Sequence, residues 1–270
     1  MEPFEWRDAP AADFAVVGDP VGHSLSPRMH QAAYSAVGLS LRYVAIRVPE
    51  GEFPQAAENL RELGYVGLNA TLPHKLAAFE WCESVESGAW RFSAVNTIRL
   101  ADRTGINTDV PGFMAMLESR GVAHGSRLLF LGAGGSARSL MAACWDSGYR
   151  LAAWNRTPGR LGELVHDLAI DAEILDSPDV TGADVVVNAT SASWSGEGLG
   201  LDWSSAPAGC QAFDLAYREG GPTPFLAEAQ KFGIATCDGL PMLVEQGALA
   251  FEWWLGREAP RRAMLASIGL

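Results

Sequence analysis

The sequence lacks the features that mark membrane proteins, disulfide-stabilised proteins and nucleic-acid-binding proteins. No apolar run approaches the roughly 18–20 residues that a membrane-spanning helix needs. The four cysteines lie far apart without a C-x-x-C motif, and the five histidines show no H-E-x-x-H spacing, so we expect buried free thiols and no metal site. Lysine and arginine total 20 against 32 aspartate and glutamate residues, and this acidic balance disfavours a nucleic-acid partner.

The chain start also lacks the pattern of a secretory signal. Residues 1–13 mix charged residues with prolines, whereas a signal peptide has a basic start followed by an apolar stretch. The chain has 270 residues, 48% of them hydrophobic and 19% charged, which excludes disorder and allows a large core. We therefore expect a cytoplasmic protein with one large domain or two of ordinary size.

Apolar runs alternate with helix-like stretches along the whole chain. The runs at 14–17 and 128–131 are typical of buried strands, and the stretches at 26–37 and 136–147 have the pattern of helices. Strands that alternate with helices predict an α/β fold with mainly parallel sheets. A domain boundary is predicted near residues 109–125, just before the most apolar strand.

A glycine-rich loop follows the strand predicted at 128–131. The loop is Gly132-Ala133-Gly134-Gly135-Ser136-Ala137, which matches G-x-G-x-x-G/A. Its first glycine permits a tight turn, its second lets a pyrophosphate approach the backbone, and its last position lets the helix pack near the strand. Free N–H groups at the start of the helix then face the phosphates. The loop predicts a dinucleotide-binding Rossmann unit; a glycine-rich turn without a ligand is the alternative.

The residues after the next predicted strand, 150–154, favour NADP over NAD. An NAD-binding unit usually carries Asp or Glu near this point to hold the ribose 2′-hydroxyl. This chain has Asn155, Arg156 and Thr157 instead, with Arg160 close behind. A guanidinium suits a 2′-phosphate, so we predict NADP as the cofactor. The alternative is that Arg156 is an ordinary surface residue.

Three clusters in the first half place polar side chains at the ends of predicted elements. Ser24 and Ser26 precede a helix, where capping is the ordinary role for at least one of them. The segment 69–75 delivers Lys75 into the first turn of a helix; a lysine there opposes the helix dipole, which favours a functional role. Asp109 follows Asn-Thr before a helix that begins with proline, and it is either a helix cap or a functional residue.

Taken together, the motifs resemble those of the shikimate dehydrogenase family. The matching segments run in family order from about residue 14 to 256 and are S-L-S-P, N-A-T-L-P-H-K, A-V-N-T, N-T-D, G-A-G-G-S-A-R, N-R-T, N-A-T-S, D-L-A-Y, T-P-F-L and G-L-P-M-L-V-E-Q-G-A. Unrelated Rossmann proteins share only the glycine loop. The resemblance implies reversible NADPH-dependent reduction of 3-dehydroshikimate to shikimate, in the biosynthesis of chorismate and aromatic amino acids.

The resemblance also implies a domain organisation. An α/β substrate-binding domain would comprise residues 1–109 plus 240–270, and a Rossmann NADP-binding domain would comprise 110–239, with a cleft between them. The implied partners are a small-molecule substrate and, at most, a second copy of the chain, since family members occur as monomers and homodimers. Neither nucleic acid nor a membrane is implied.

The family motifs assign roles to individual residues. Lys75 and Asp109 match the catalytic pair, with Lys75 as the general acid in reduction and the base in the reverse direction; which of the two carries the transferred proton stays open, because a coupled pair titrates as a unit. The implied substrate-binding residues are Ser24, Ser26, Asn69, Thr71, Asn96, Tyr217 and Gln246. The implied cofactor-binding residues are the loop 132–137, Asn155, Arg156, Thr157, Arg160, Thr190, Ser191, Gly239 and Met242.

The sequence departs from the family pattern at a few positions. Ser93 stands where many members have glycine, Ala70 replaces a common valine, Ile106 replaces a polar residue, and the loop after Tyr217 lacks the usual Y-x-P spacing. Two alternatives stay open: a paralogue that acts on quinate or an amino analogue of shikimate, and a non-catalytic NADP-binding sensor. Retention of both serines and of Lys75 with Asp109 favours the dehydrogenase.

Overall fold

The computed structural model, which describes residues 2–86, 88–195 and 198–270, divides the chain into two units. Unit 1 comprises Met1–Gly112 and Leu243–Leu270, and unit 2 comprises Phe113–Met242. The limits of the units therefore fall at 112/113 and 242/243, where the sequence predicts 109/110 and 239/240. Two helices cross these limits, α4 (Asp109–Ser119) and α9 (Leu240–Leu255).

Unit 1 is built on a mixed sheet of seven strands among the described residues. The strands are β1 (Phe4–Glu5), β2 (Phe14–Gly18), β3 (Tyr43–Arg47), β4 (Gly67–Ala70), β5 (Ser84–Val85), β6 (Thr97–Arg99) and β7 (Thr104–Ile106). Their order is β1-β3-β2-β4-β6-β7-β5. The first four strands are parallel neighbours, whereas β6 runs antiparallel to both β4 and β7. The sequence predicts mainly parallel sheets and does not predict this antiparallel part.

Helices cover the sheet of unit 1 and bury its central strands. The helices that lie wholly in this unit are α1 (Ser26–Ala36), α2 (Phe53–Glu62), α3 (Lys75–Trp81) and α10 (Arg261–Ser267). All five residues of β2 are buried, as expected for a continuous apolar run in the middle of a sheet. One core cluster joins Val17 of β2, Ile46 of β3 and Leu68 of β4 to Leu60 of α2.

In its described residues, unit 2 has a six-stranded, wholly parallel sheet. Its strands are β8 (Arg127–Leu131), β9 (Arg150–Trp154), β10 (Glu173–Ile174), β11 (Val185–Asn188), β12 (Gln211–Asp214) and β13 (Ala235–Cys237), and its helices are α5 (Gly135–Asp146), α6 (Pro158–Leu168), α7 (Ala192–Ser195) and α8 (Pro224–Gln230). The order β10-β9-β8-β11-β12-β13 is 3-2-1-4-5-6 when counted within the unit. This is the Rossmann order, which confirms the predicted α/β fold class.

The Rossmann order fixes where unit 2 can hold a ligand. The chain changes direction across the sheet between β8 and β11, and ligands of such sheets bind beyond the carboxyl ends of the strands at this switch point. Leu131 of β8 pairs with Asn188 of β11, which in turn pairs with Asp214 of β12. The glycine loop therefore starts beside two polar residues at one edge of the sheet.

Several element boundaries differ from the sequence prediction. α3 begins at Lys75, in agreement with the first-turn position that the sequence predicts, whereas α4 begins at Asp109, two positions before the proline expected to open it. The strands β1, β5 and β10 were not predicted, because each has two residues and no apolar alternation to read. None of the helices in the described part of the chain combines the length and the apolarity that crossing a bilayer requires.

Candidate active site

The two residues of the predicted catalytic pair are in direct contact in unit 1. Nζ of Lys75 lies 2.6 Å from Oδ2 of Asp109, and the two side chains are only 11% and 10% exposed. Each residue is the first of its helix, α3 for the lysine and α4 for the aspartate. A cation at a helix start is disfavoured by the dipole, and the adjacent carboxylate offsets that cost. The arrangement places one shielded proton donor beside one carboxylate.

Asn107 supplies the cap of α4, which leaves the carboxylate of Asp109 to Lys75. Oδ1 of Asn107 accepts a hydrogen bond from the backbone N–H of Val110 at 3.0 Å, and its Nδ2 donates to the carbonyl of Ala94 at 2.9 Å. The capping role considered for Asp109 thus belongs to the residue two positions earlier. The two residues thus have different roles at this helix start: Asn107 caps the helix, and Asp109 pairs with Lys75.

Asn69 is fixed from three sides at the end of β4. The hydroxyl of Tyr43 donates to its Oδ1 at 2.6 Å, and its Nδ2 donates to Oγ1 of Thr97 at 2.9 Å and to the carbonyl of Asn96 at 3.1 Å. All of these groups are buried. Asn69 therefore presents a fixed amide, whose oxygen retains the capacity to accept a further hydrogen bond.

Asn96 links this group to α4 and α9. Its Oδ1 accepts from the backbone N–H of Thr108 at 2.7 Å, and its Nδ2 donates to Oγ1 of Thr108 at 3.0 Å and to Oε1 of Gln246 at 3.5 Å. The structure thus brings three predicted substrate residues, Asn69, Asn96 and Gln246, into one buried network. Sequence reasoning missed its other members, Tyr43 and the two threonines, although the threonines lie in the A-V-N-T and N-T-D motifs.

The remaining predicted residues of unit 1 have local contacts. Ser26 is the first residue of α1 and is buried, and its backbone N–H donates to Oγ of the half-buried Ser24 at 3.3 Å. Thr71 follows β4; its N–H donates to Val17 at 2.9 Å, and its carbonyl accepts from His74 at 2.8 Å. The bond to Val17 holds Thr71 at the carboxyl ends of the parallel strands β2 and β4, where side chains of α/β sheets meet ligands.

In unit 2, the glycine loop has the geometry that its motif predicts. Gly132 has φ +111°, and a Cβ added there would lie 3.0 Å from the carbonyl oxygen of Ala189, so only glycine fits. A Cβ at Gly134 would meet nothing within 4 Å, which leaves the outer side of the loop open to an incoming group. Ala137 is fully buried where α5 packs close to the sheet. The first N–H groups of α5 begin at Gly135.

The basic residues predicted for the 2′-phosphate lie beyond the carboxyl end of β9. Arg156, Thr157 and Arg160 are exposed, and Thr157 stands directly before the first residue of α6. Nδ2 of Asn155 donates to the carbonyl of Thr157 at 2.9 Å and so shapes the turn. Because β9 neighbours β8, this turn lies at the same sheet edge as the glycine loop.

The other predicted cofactor residues lie on the loop after β11 and at the start of α9. The N–H and Oγ1 of Thr190 donate to Oδ1 of Asn188 at 3.0 and 2.7 Å, and Ser191 follows directly. Gly239 packs so tightly that a Cβ there would lie 2.2 Å from the carbonyl oxygen of Leu215, and Met242 is buried on the first turn of α9. Tyr217, predicted to help Ser24 and Ser26, is half-buried and belongs to unit 2, whereas the serines belong to unit 1.

Sequence reasoning also missed Asp214, the last residue of β12. Its buried carboxylate accepts from Nδ2 of Asn188 at 3.1 Å, from the N–H of Ala216 at 3.0 Å, and from the hydroxyls of Ser193 and Thr223, each at 2.5 Å. Burial raises the pKa of Asp214, and these hydrogen bonds oppose that rise. The only signal in the sequence is its place in the D-L-A-Y segment.

Comparison with known proteins places the chain in one family. Residues 16–98 match the family model of the shikimate dehydrogenase substrate binding domain, and residues 239–268 match that of the shikimate 5′-dehydrogenase C-terminal domain. The NADP(+)-dependent shikimate dehydrogenase of Moorella thermoacetica is 41% identical over 94% of each chain. The crystal structure of shikimate dehydrogenase from Aquifex aeolicus superposes with a TM-score of 0.86 at 31% identity, covering 95% of this chain and 97% of that one. The enzyme of Thermus thermophilus, in complex with NADP(H) and shikimate, gives 0.84 at 36% identity, covering 96% and 98%.

Proposed function

Because the chain belongs to the shikimate dehydrogenase family, we propose that it catalyses the reversible NADPH-dependent reduction of 3-dehydroshikimate to shikimate. It is an NADP-dependent oxidoreductase acting on a CH-OH group, and the reaction serves chorismate and aromatic amino-acid biosynthesis. The observation that carries the proposal is the shielded ion pair of Lys75 and Asp109 in a chain that also holds a Rossmann unit with an open glycine loop.

The ion pair of Lys75 and Asp109 supplies the proton chemistry of this reaction. NADPH, when bound, supplies the hydride that adds to the carbonyl carbon. Lys75 donates a proton to the carbonyl oxygen as negative charge develops there, so that an O–H bond forms in the alcohol product. Asp109 orients the ammonium group through their direct contact. In the reverse direction, Lys75 accepts the proton of the hydroxyl.

We assign substrate binding to unit 1 and NADP binding to unit 2. In unit 1, Ser24 and Ser26 offer hydroxyls to the substrate carboxylate, and Asn69, Thr71, Asn96 and Gln246 face its ring hydroxyls. Neutral donors and acceptors suit this task, because a site built to hydrogen-bond hydroxyls rejects analogues that lack them. In unit 2, the glycine loop takes the pyrophosphate, and Arg156 with Arg160 takes the 2′-phosphate. Tyr217 contributes to carboxylate binding from the loop after β12.

Initial rates with four substrate pairs test the proposal. The purified protein is assayed with shikimate or quinate, each with NADP or NAD, by the absorbance of the reduced cofactor. We expect shikimate with NADP to be the fastest pair, because the chain retains both serines and has Arg156 where NAD enzymes carry an acid. Faster turnover of quinate would assign the chain to a paralogue, and NADP binding without any turnover would assign it to a sensor.

Two further parts of the proposal concern the protein in the cell. We place the enzyme in the cytoplasm, as a monomer or a homodimer. Light scattering coupled to size-exclusion chromatography distinguishes the two assemblies, and a larger particle would contradict both.

A further inference from the structure

One buried carboxylate connects three segments at the carboxyl edge of the unit 2 sheet. Oδ1 of Asp214 accepts from Nδ2 of Asn188 and from the N–H of Ala216, while its Oδ2 accepts from the hydroxyls of Ser193 and Thr223. The side chain of Asp214 is fully buried. All four groups donate to it, and the hydroxyls of Ser193 and Thr223 already accept from Nδ2 of Asn188 and the N–H of Leu226, so the arrangement suits an acceptor-only, ionised carboxylate.

Two of these contacts hold the loop that follows β11. Asn188 binds Asp214 through its Nδ2, and its Oδ1 accepts both donors of Thr190. Ser193 closes the far end of the loop on the same carboxylate, at 2.5 Å, and also accepts from Nδ2 of Asn188 at 3.0 Å. The segment 189–192, which carries Thr190 and Ser191, is therefore anchored on both sides.

The other two contacts hold the loop that follows β12. The N–H of Ala216 binds Asp214 at the start of this loop, and the hydroxyl of Thr223 binds it at the end, where Thr223 also caps α8 through the N–H of Leu226. Tyr217 lies between these anchor points. The carbonyl of Ala216 accepts in turn from the N–H of Gly239 at 3.0 Å, which ties the start of α9 to the same loop.

We propose that the ionised Asp214 is the positioning residue of unit 2, which sets the loop of Thr190 and Ser191 on one side and the loop of Tyr217 on the other. This inference rests on the proposed function, because it assigns the first loop to the cofactor and the second to the substrate. If so, removing one contact of the carboxylate should displace one loop and leave the other loop in place.

The variants Ser193→Ala and Thr223→Val each remove one hydrogen bond to Asp214. The Michaelis constants for shikimate and for NADP are then measured. We expect Ser193→Ala to raise the KM for NADP about tenfold and to leave the KM for shikimate within about twofold, since a lost hydrogen bond to a charged group corresponds to a factor of this size. Thr223→Val has the opposite pattern, and Thr223→Ser, which restores the hydroxyl, returns the KM for shikimate to the wild-type value. Asp214→Asn places an amide donor against the donors that face Asp214. It raises the KM for shikimate and the KM for NADP and lowers kcat/KM about 100-fold.

Val180→Ala is the stability control, because it opens a cavity in the unit 2 core without removing a hydrogen bond of Asp214. We expect it to lower the melting temperature without changing either KM. If Ser193→Ala and Thr223→Val change both constants in parallel, or change neither, Asp214 has only a structural role and the inference is overturned. These single-contact variants decide the question even if Asp214→Asn does not fold. A wild-type protein without shikimate-dependent NADPH formation would instead overturn the proposed function.

Discussion

The two units present their candidate residues in opposite ways. In unit 1, Lys75, Asp109, Asn69 and Asn96 are shielded from solvent and held by one another or by neighbouring side chains. In unit 2, Gly134 and Gly135 of the glycine loop and Arg156, Thr157 and Arg160 are exposed, and a buried network around Asp214 anchors the loops after β11 and β12. The difference follows from the tasks: proton transfer needs fixed distances in a shielded place, whereas phosphates are met by N–H groups and guanidinium groups that reach outward.

The use of lysine and arginine follows the same difference between proton transfer and phosphate binding. The chain has a formal charge of −12, although both proposed ligands are anionic. Only two of its 20 basic residues are lysines, Lys75 and Lys231. Arginine stays protonated at any working pH, whereas an amine can exchange its proton, so most ion pairs of the surface use arginine and the proposed proton donor is a lysine.

The largest expected effect comes from removing the proton donor of unit 1. Lys75→Ala should lower kcat about 1,000-fold, within the range of general acid–base catalysis. Lys231→Ala is the matched control, because Lys231 is an exposed surface residue paired with Glu228, and it should leave kcat unchanged. Both variants are assayed at saturating shikimate and NADP. Near-normal turnover of Lys75→Ala would refute the catalytic assignment.

A smaller effect should follow from removing the guanidinium of unit 2. Arg156→Ala should raise the KM for NADP about 10- to 100-fold, since a charged hydrogen bond is worth about 1.5–3 kcal/mol. The KM for NAD should not change, because NAD lacks the 2′-phosphate. Arg150→Ala removes an exposed arginine from the opposite end of β9 and serves as the control. Equal losses for NADP and NAD in Arg156→Ala would assign this residue a structural role.

The two glycines of the loop should separate stability from cofactor binding. Gly132→Ala forces a side chain into φ +111° against Ala189 and should lower the free energy of unfolding by about 2 kcal/mol. Gly134→Ala meets no protein atom and has a backbone that alanine adopts freely, so it should retain stability but weaken NADP binding. Denaturant unfolding and cofactor titration measure both effects. Equal stability losses in the two variants would contradict this distinction.

The smallest effect should appear at Ser93. This residue has φ +49°, in the left-handed region that disfavours residues other than glycine. Ser93→Gly should raise the free energy of unfolding by about 1 kcal/mol, because it removes backbone strain. Ser84→Gly, in the extended strand β5, should have the opposite sign. A loss of stability in Ser93→Gly would show that the serine side chain contributes more than the strain costs.

Local patterns predicted the elements that have long apolar runs and the motifs that follow them. The strand before Gly132 and the helix after it were readable from sequence because burial, turn and helix start all occur within a short stretch of chain. The bonds of Asn69 were not readable, because they depend on the antiparallel register of β4 and β6. The environment of Asp214 was not readable either, since its partners come from three separate segments.

The position of Ser93 shows what a family resemblance adds. The sequence around Ser93 gives no reason to expect a glycine, whereas the positive φ of this residue explains why many family members have one there. The cap of α4 shows the converse. Asp109 reads as a cap by residue type, and only the structure shows Asn107 in that role and Asp109 against Lys75.

Equilibrium binding of NADPH to Lys75→Ala and Arg156→Ala, followed by nucleotide fluorescence, tests the division between the units most directly. If unit 1 performs the proton chemistry and unit 2 holds the cofactor, Lys75→Ala binds NADPH within about twofold of the wild-type Kd although its turnover is lost, while Arg156→Ala binds at least about tenfold more weakly. Equal weakening in the two variants would contradict the division.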